Sequence, residues 1–238
     1  MTKRKKLQEL TIKDNFMFGA VMVDEELCRE FLELALEFKI ARVTVSKEKS
    51  IVYHPEYKGV RLDMVADDEN RTHYNVEMQV LRKKHLGKRS RYYHSQIDME
   101  LLLAGLEYGQ LPDSYVIFVC DFDPFYKKRY RYTFDTVCKE DDTVCLEDGN
   151  HTVFLSTCGE NEKEVPGGLV KFLKYVKAGL VQRILSNWQF DLTIFLIALL
   201  PKPRRSHRYA CVWEAALSKK YSASNYPKLN FRCTSLCM

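Results

Sequence analysis

Two short runs hold residue types that could do chemistry: Arg61-Leu62-Asp63-Met64-Val65-Ala66 and Tyr74-Asn75-Val76-Glu77-Met78-Gln79. Between them, Asp67-Asp68-Glu69-Asn70-Arg71 is polar and turn-forming, so the whole reads as a β-hairpin. Strand side chains alternate faces, which groups Asp63 with Arg61 and Val65, and Glu77 with Asn75 and Gln79. If the turn is centred on Asn70, Asp63 stands directly across from Glu77, with Cβ atoms about 5 Å apart. Opposed carboxylates repel, and a divalent cation is the simplest compensation. A hard ion such as Mg²⁺, or Mn²⁺ in its place, takes oxygen ligands and keeps several waters. It can activate water and offset charge developing on a phosphoryl group. Gln79 is placed to orient that water or phosphate, but as a neutral amide it supplies neither a proton nor a positive charge. Spacing alone favours a plainer reading, acids on the solvated face of a sheet.

The surrounding pattern supplies elements to hold the hairpin. Asp24 reads as the N-cap of a helix through Phe38, with Leu27, Phe31, Leu34, Ala35 and Phe38 as its apolar stripe. Arg42 to Lys47 alternates as a first strand, extended by Ser50 to Tyr53, before a loop with Pro55. From Lys88, the spacing of Tyr93, Ile97, Leu101, Ala104 and Tyr108 predicts an amphipathic helix closed near Gly109. Ser114 to Cys120 has the continuous apolar character of a strand buried on both faces. Arg131 to Val137 and Thr152 to Thr157 read as strands, and a short helical pattern follows Gly167-Gly168 to Ala178. The order predicts an α/β fold.

A chain of 238 residues is long enough for one well-buried domain plus a tail. Its net charge of +5 suits a polyanionic partner, and Arg82, Lys83, Lys84, Lys88, Arg89 and Arg91 crowd together with no acid among them. The eight cysteines form no CxxC pair and the six histidines no ligand spacing, so no zinc framework is expected. His85 and His94 read as surface groups. No GxxxxGK[ST] occurs, which argues against a phosphate loop. The basic start lacks the apolar core of a secretory signal, and Leu192 to Leu200 is about half the ~20 residues of a membrane span, so a cytoplasmic protein is expected. After residue 180 acids become scarce and periodicity is lost; residues 181–238 read as a divergent tail, poorly ordered or derived by frameshift.

The two runs of the hairpin, with an ExQ where an ExK is commoner, resemble the PD-(D/E)xK nuclease superfamily, in its recombination-promoting nuclease or transposase branch. The likeness extends to Asp14-Asn15-Phe16-Met17-Phe18, to Lys88-Arg89-Ser90-Arg91-Tyr92-Tyr93 with Gln96, and to Ile117 through Phe125, covering residues 11 to about 178. It implies a restriction-endonuclease-like αβββαβ core, a mixed central sheet flanked by helices. It implies metal at Asp63, Glu77 and the main chain of Met78, with Gln79 in the catalytic lysine's place, and Mg²⁺-dependent hydrolysis of DNA. Leu62 stands where the superfamily's first motif usually has proline. Arg89, Arg91, Tyr92 and Gln96 are then candidates for DNA contact, against a plain basic turn with core tyrosines. Glu26 or Glu30 as a further ligand, and Asp121 and Asp123 as functional acids, read more simply as surface and turn residues. The expected function is a DNA endonuclease tied to recombination or mobile elements. The alternatives are an inactive DNA-binding relic and an RNA-directed nuclease.

Overall fold

The computed structural model describes residues 10–51, 56 and 58–179, all within the first of two compact units, Met1–Pro203. The expected tail lies outside the described residues, as does most of the loop around Pro55.

Two helices come first among the described residues, α1 at Asn15–Met22 and α2 at Glu25–Leu36. The Asp24 carboxylate accepts from the Leu27 N–H at 3.0 Å, filling one of the donors that a helix start leaves open, and Glu25 and Glu26 suit the positive end of the dipole. The helix stops two residues earlier than its stripe suggests, because Glu37 turns left-handed at φ 63°. Arg131 then secures that end by donating to the Ala35 carbonyl at 3.1 Å and pairing with Glu37. Helix α1 was not anticipated, since eight residues with apolar groups nearly all round show no amphipathic stripe.

A six-stranded sheet follows: β1 (Val43–Ile51), β2 (Val60–Asp68), β3 (His73–Gln79), β4 (Ser114–Cys120), β5 (Arg131–Phe134) and β6 (Asn150–Ser156). Strand order is β1-β2-β3-β4-β6-β5; β1 to β3 run antiparallel, β3, β4 and β6 are parallel, and β5 returns antiparallel at the edge. Helix α3 (Leu86–Leu101) joins β3 to β4, as a parallel pair requires, and α4 (Gly167–Ala178) closes the described chain. Every residue of β3 is buried, and so is all of β4 except Tyr115. Tyr93 and Ile97 of α3 pack with Leu62, Val65, Val116, Phe118, Cys120 and Phe154 on one face. On the other, Cys28 of α2 meets Met64, and Phe31 meets Phe172 of α4 with ring centroids 5.2 Å apart. Each fully buried side chain of this kind contributes about 1.5–3 kcal/mol. The mixed sheet flanked by helices is the expected architecture, with two extra helices and two further strands around its αβββαβ core.

Three expectations need correction. Helix α3 runs from Leu86 to Leu101, not to Tyr108: Leu102 turns extended, Gly105 sits at φ 90°, and Tyr108 is 86% exposed. The three-to-four spacing continued, but no sheet lies beneath its far end. Strand β5 ends at Phe134, leaving Val137 in an isolated bridge to Cys145. His94 is buried, not on the surface. Its Nδ1 lies 2.8 Å from the Ser114 hydroxyl and its Nε2 3.1 Å from that of Thr152, which also meets Ser90 at 2.7 Å, tying α3 to β4 and β6.

Burial first, then the nearby His151, pulls the His94 pKa from 6.5 to about 4. The unfolded chain therefore takes up a proton that the folded chain refuses, and stability is expected to fall as pH drops from about 6.5 towards 4. His94→Gln should flatten this part of a plot of urea midpoint against pH. An unchanged slope would place the acid sensitivity elsewhere.

Candidate active site

The hairpin pairs as the turn dictates, Asp67 with His73, Ala66 with Tyr74, Val65 with Asn75 and Met64 with Val76. The ladder stops there. One step further, the Asp63 N–H donates to Glu77 Oε1 at 3.1 Å, and the Met78 N–H donates to Asp63 Oδ2 at 3.4 Å. Each carboxylate takes up a backbone donor of the opposite strand in place of a ladder bond. The alternation expected along β2 does not hold through this point. Leu62 and Val65, three residues apart, share the core with α3, while Met64 faces α2. The two acids therefore meet at the end of the paired region, one step past Met64 and Val76.

Other elements complete the site. Asn15, at the start of α1, donates its side-chain amide to both Asp63 oxygens at 2.9 and 3.0 Å. Helix α1 crosses close to β2 here: a Cβ on Gly19 would lie 3.7 Å from the Asp63 carbonyl. From α3, Arg89 reaches inward, with Nη2 2.6 Å from Glu77 Oε2 and Nη1 2.6 Å from Gln79 Oε1. Its Nε donates to the Tyr93 hydroxyl at 2.7 Å, and the guanidinium carbon lies 4.9 Å from the centre of the Tyr93 ring. Gln79 spends its own amide N–H on the Leu81 carbonyl at 2.9 Å. Asn75, on the same strand, keeps its side-chain nitrogen and oxygen buried without a hydrogen-bond partner.

Burial first, then the Asp63 charge, raise the Glu77 carboxyl to about 7, with Arg89 only partly offsetting both. Asp63 is also pushed up by burial, against the Met78 and Asn15 hydrogen bonds. The pair is therefore short of positive charge, which fits a hard cation. Among the described residues no three His, Cys, Asp or Glu gather as a metal cluster, so the protein's donors would be these two carboxylates and the main chain. Glu26 and Glu30 instead surround Arg29, at 2.6 and 4.0 Å.

The candidate DNA contacts divide. Arg91 is exposed, as are Lys83, Lys84 and Lys88. Tyr92 is partly buried and donates to the Lys58 carbonyl, and Gln96 is 8% exposed, so neither stands on an open surface. Tyr93 is buried, as its place on the stripe implies. Asp123 organises the turn after β4 by accepting from the Phe125 and Lys128 N–H groups and the Tyr132 hydroxyl, the plainer of its two readings. Asp121 pairs with Lys13 at 2.6 Å. Asn15 carried no expected role; only its place in the Asp14-to-Phe18 run hinted at one.

A mixed sheet whose two acids sit at the end of a β2–β3 pair defines a restriction-endonuclease-like fold. Residues 15–157 match the family model of the PD-(D/E)XK nuclease family transposases, and the chain belongs to that family. No curated protein and no solved structure matches it. No helix among the described residues is long and apolar enough to cross a membrane.

The raised Glu77 pKa has a sign that can be tested without metal. Between about 4.5 and 7 the folded chain holds a proton that the unfolded chain releases, so stability should fall as pH rises through this window. In EDTA, Glu77→Gln should remove part of that fall. Glu30, raised to about 7 chiefly by its own burial, should account for another part when changed to Gln. If neither variant alters the slope between pH 5 and 7, these two acids do not carry the dependence.

Proposed function

We propose that the chain is a DNA endonuclease that hydrolyses phosphodiester bonds with the help of Mg²⁺ or Mn²⁺, in a recombination or mobile-element setting. The observation that carries this reading is the meeting of Asp63 and Glu77 at the end of the hairpin ladder, each bonded to the other strand's backbone. Asp63, Glu77 and the main chain at Met78 would hold the ion. When bound, such an ion makes water a stronger nucleophile and offsets charge on the phosphoryl oxygens. The residues of the chain do the rest. Asn15 fixes the Asp63 carboxylate from α1, and the backbone N–H groups of Asp63 and Met78 hold both acids in place. Gln79 lies beside Glu77 and, with its carbonyl taken up by Arg89, acts on what approaches through that side chain.

Lys83, Lys84, Lys88 and Arg91, exposed between β3 and the first turns of α3, suit the phosphates flanking the cut. Arg82 belongs less to this set, because it donates to the Asp123 carbonyl at 2.7 Å and lies over the Phe122 and Tyr126 rings. Such side chains read charge and spacing, not bases, so little sequence preference is expected.

Plasmid cleavage tests the reading. Asp63→Asn and Glu77→Gln should each abolish cutting while leaving the fold intact, and added Mg²⁺ should raise the melting temperature of the wild type more than of either variant. Equal cutting by all three proteins would return the acids to the solvated-sheet reading. For the basic segment, Lys88→Ala with Arg91→Ala should lower affinity for all sequences alike, with a salt slope reduced by roughly 0.9 for each phosphate that the variant no longer neutralises.

A further inference from the structure

We infer that Arg89 is a catalytic residue, the cation that meets the scissile phosphate; this rests on the proposed nuclease activity. A phosphodiester under attack gains negative charge on its non-bridging oxygens, beside two acids that are already short of positive charge. Gln79, the polar neighbour on the strand, is neutral. The full positive charge bonded at this point comes from the helix, where the Arg89 guanidinium spans Glu77 and Gln79 at 2.6 Å each.

Its setting is built, not incidental. Nε is fixed by the Tyr93 hydroxyl at 2.7 Å, and the Tyr93 and Phe118 rings lie 4.9 and 5.7 Å from the guanidinium carbon. Tyr93 and Phe118 are core residues, so they cannot drift. These bonds use three of the five N–H groups of an arginine, one on each nitrogen. Two remain, one on each terminal nitrogen, as donors for phosphate oxygens. The side chain is 29% exposed, so the group is reachable from solvent. A lysine on the strand would offer a single point charge; here a planar fork arrives from α3 and uses the Gln79 carbonyl as its rest.

The step balances without a proton from arginine. Water oxygen bonds to phosphorus, one bridging P–O bond breaks, and the departing oxygen keeps the electron pair. The proton shed by the water is matched by one that the departing oxygen gains from solvent. Arg89 remains protonated throughout and acts on charge alone.

Moving the charge from helix to strand tests this. Arg89→Met, Arg89→Lys and the double variant Arg89→Met with Gln79→Lys are compared with wild type in plasmid cleavage and in the melting-temperature rise caused by Mn²⁺. Arg89→Met should lower cleavage by roughly 100-fold or more while keeping its Mn²⁺ response, as loss of one fixed charge-stabilising donor does. Arg89→Lys should fall between, and the double variant should regain cutting from a lysine at position 79. Cleavage by Arg89→Met at the wild-type rate overturns the inference. So does joint loss of cutting and of the Mn²⁺ response with no recovery in the double variant, for Arg89 then serves only to hold Glu77. A wild-type chain that makes no cut with either ion overturns the nuclease reading itself, in a separate lane.

Discussion

The structure turns on one constraint: two carboxylates of like charge must be held together in a place that water reaches poorly. Asp63 and Glu77 satisfy it by exchanging backbone donors across the point where β2 and β3 cease to pair. That exchange requires both strands to be rigid. β3 is rigid because it is buried along its whole length, antiparallel to β2 on one side and parallel to β4 on the other. The helices then add what the strands lack, an amide from α1 and a positive charge from α3. Burial still wins over these partners, since Glu77 remains raised to about 7. The strands and helices together therefore leave the pair with less positive charge than two carboxylates call for.

Much of this was legible in the sequence because it is local. A turn centred on Asn70 fixes the register of β2 and β3, and register fixes which acids meet. Asp24 as an N-cap and the apolar run of β4 were legible for the same reason: cap chemistry and strand burial are written within a few residues. What could not be read depends on partners far along the chain. Nothing near Asn15 shows that it will face Asp63, 48 positions away. Basic residues from 82 to 91 look alike in sequence, yet Arg89 turns into the site while Arg91 faces solvent, because the helical turn and the Tyr93 ring select between them. The stripe that runs on to Tyr108 outlasts α3 for the converse reason: periodicity records a helix face but not whether a sheet lies under it.

The polar side chains under α3 repeat the theme away from the acids. Buried His94, Ser90 and Ser114 and half-buried Thr152 form a hydrogen-bonded set that fixes the helix laterally on β4 and β6. Apolar packing alone would let α3 slide along the sheet at small cost, whereas hydrogen bonds in a low-dielectric interior lose heavily when misaligned. The placement of Arg89 thus depends on its neighbour Ser90, on His94 five residues further along the helix, and on the strand hydroxyls that both meet.

The location of the acids at a ladder end also bears on how the molecule comes into being. Asn15, Asp63, Glu77 and Arg89 all lie in the first 89 residues, but the surface that seats them includes β4 and β6, which extend to Ser156. A growing chain therefore possesses every one of these side chains long before it possesses the arrangement. Parallel pairing of β3 with β4 waits for the whole of α3 and its following loop to emerge, because distant strands must close a long loop before their pairing is rewarded. The order of synthesis therefore separates possession of the side chains from possession of the site: the acids and Arg89 are made first, and the strands that seat them come last.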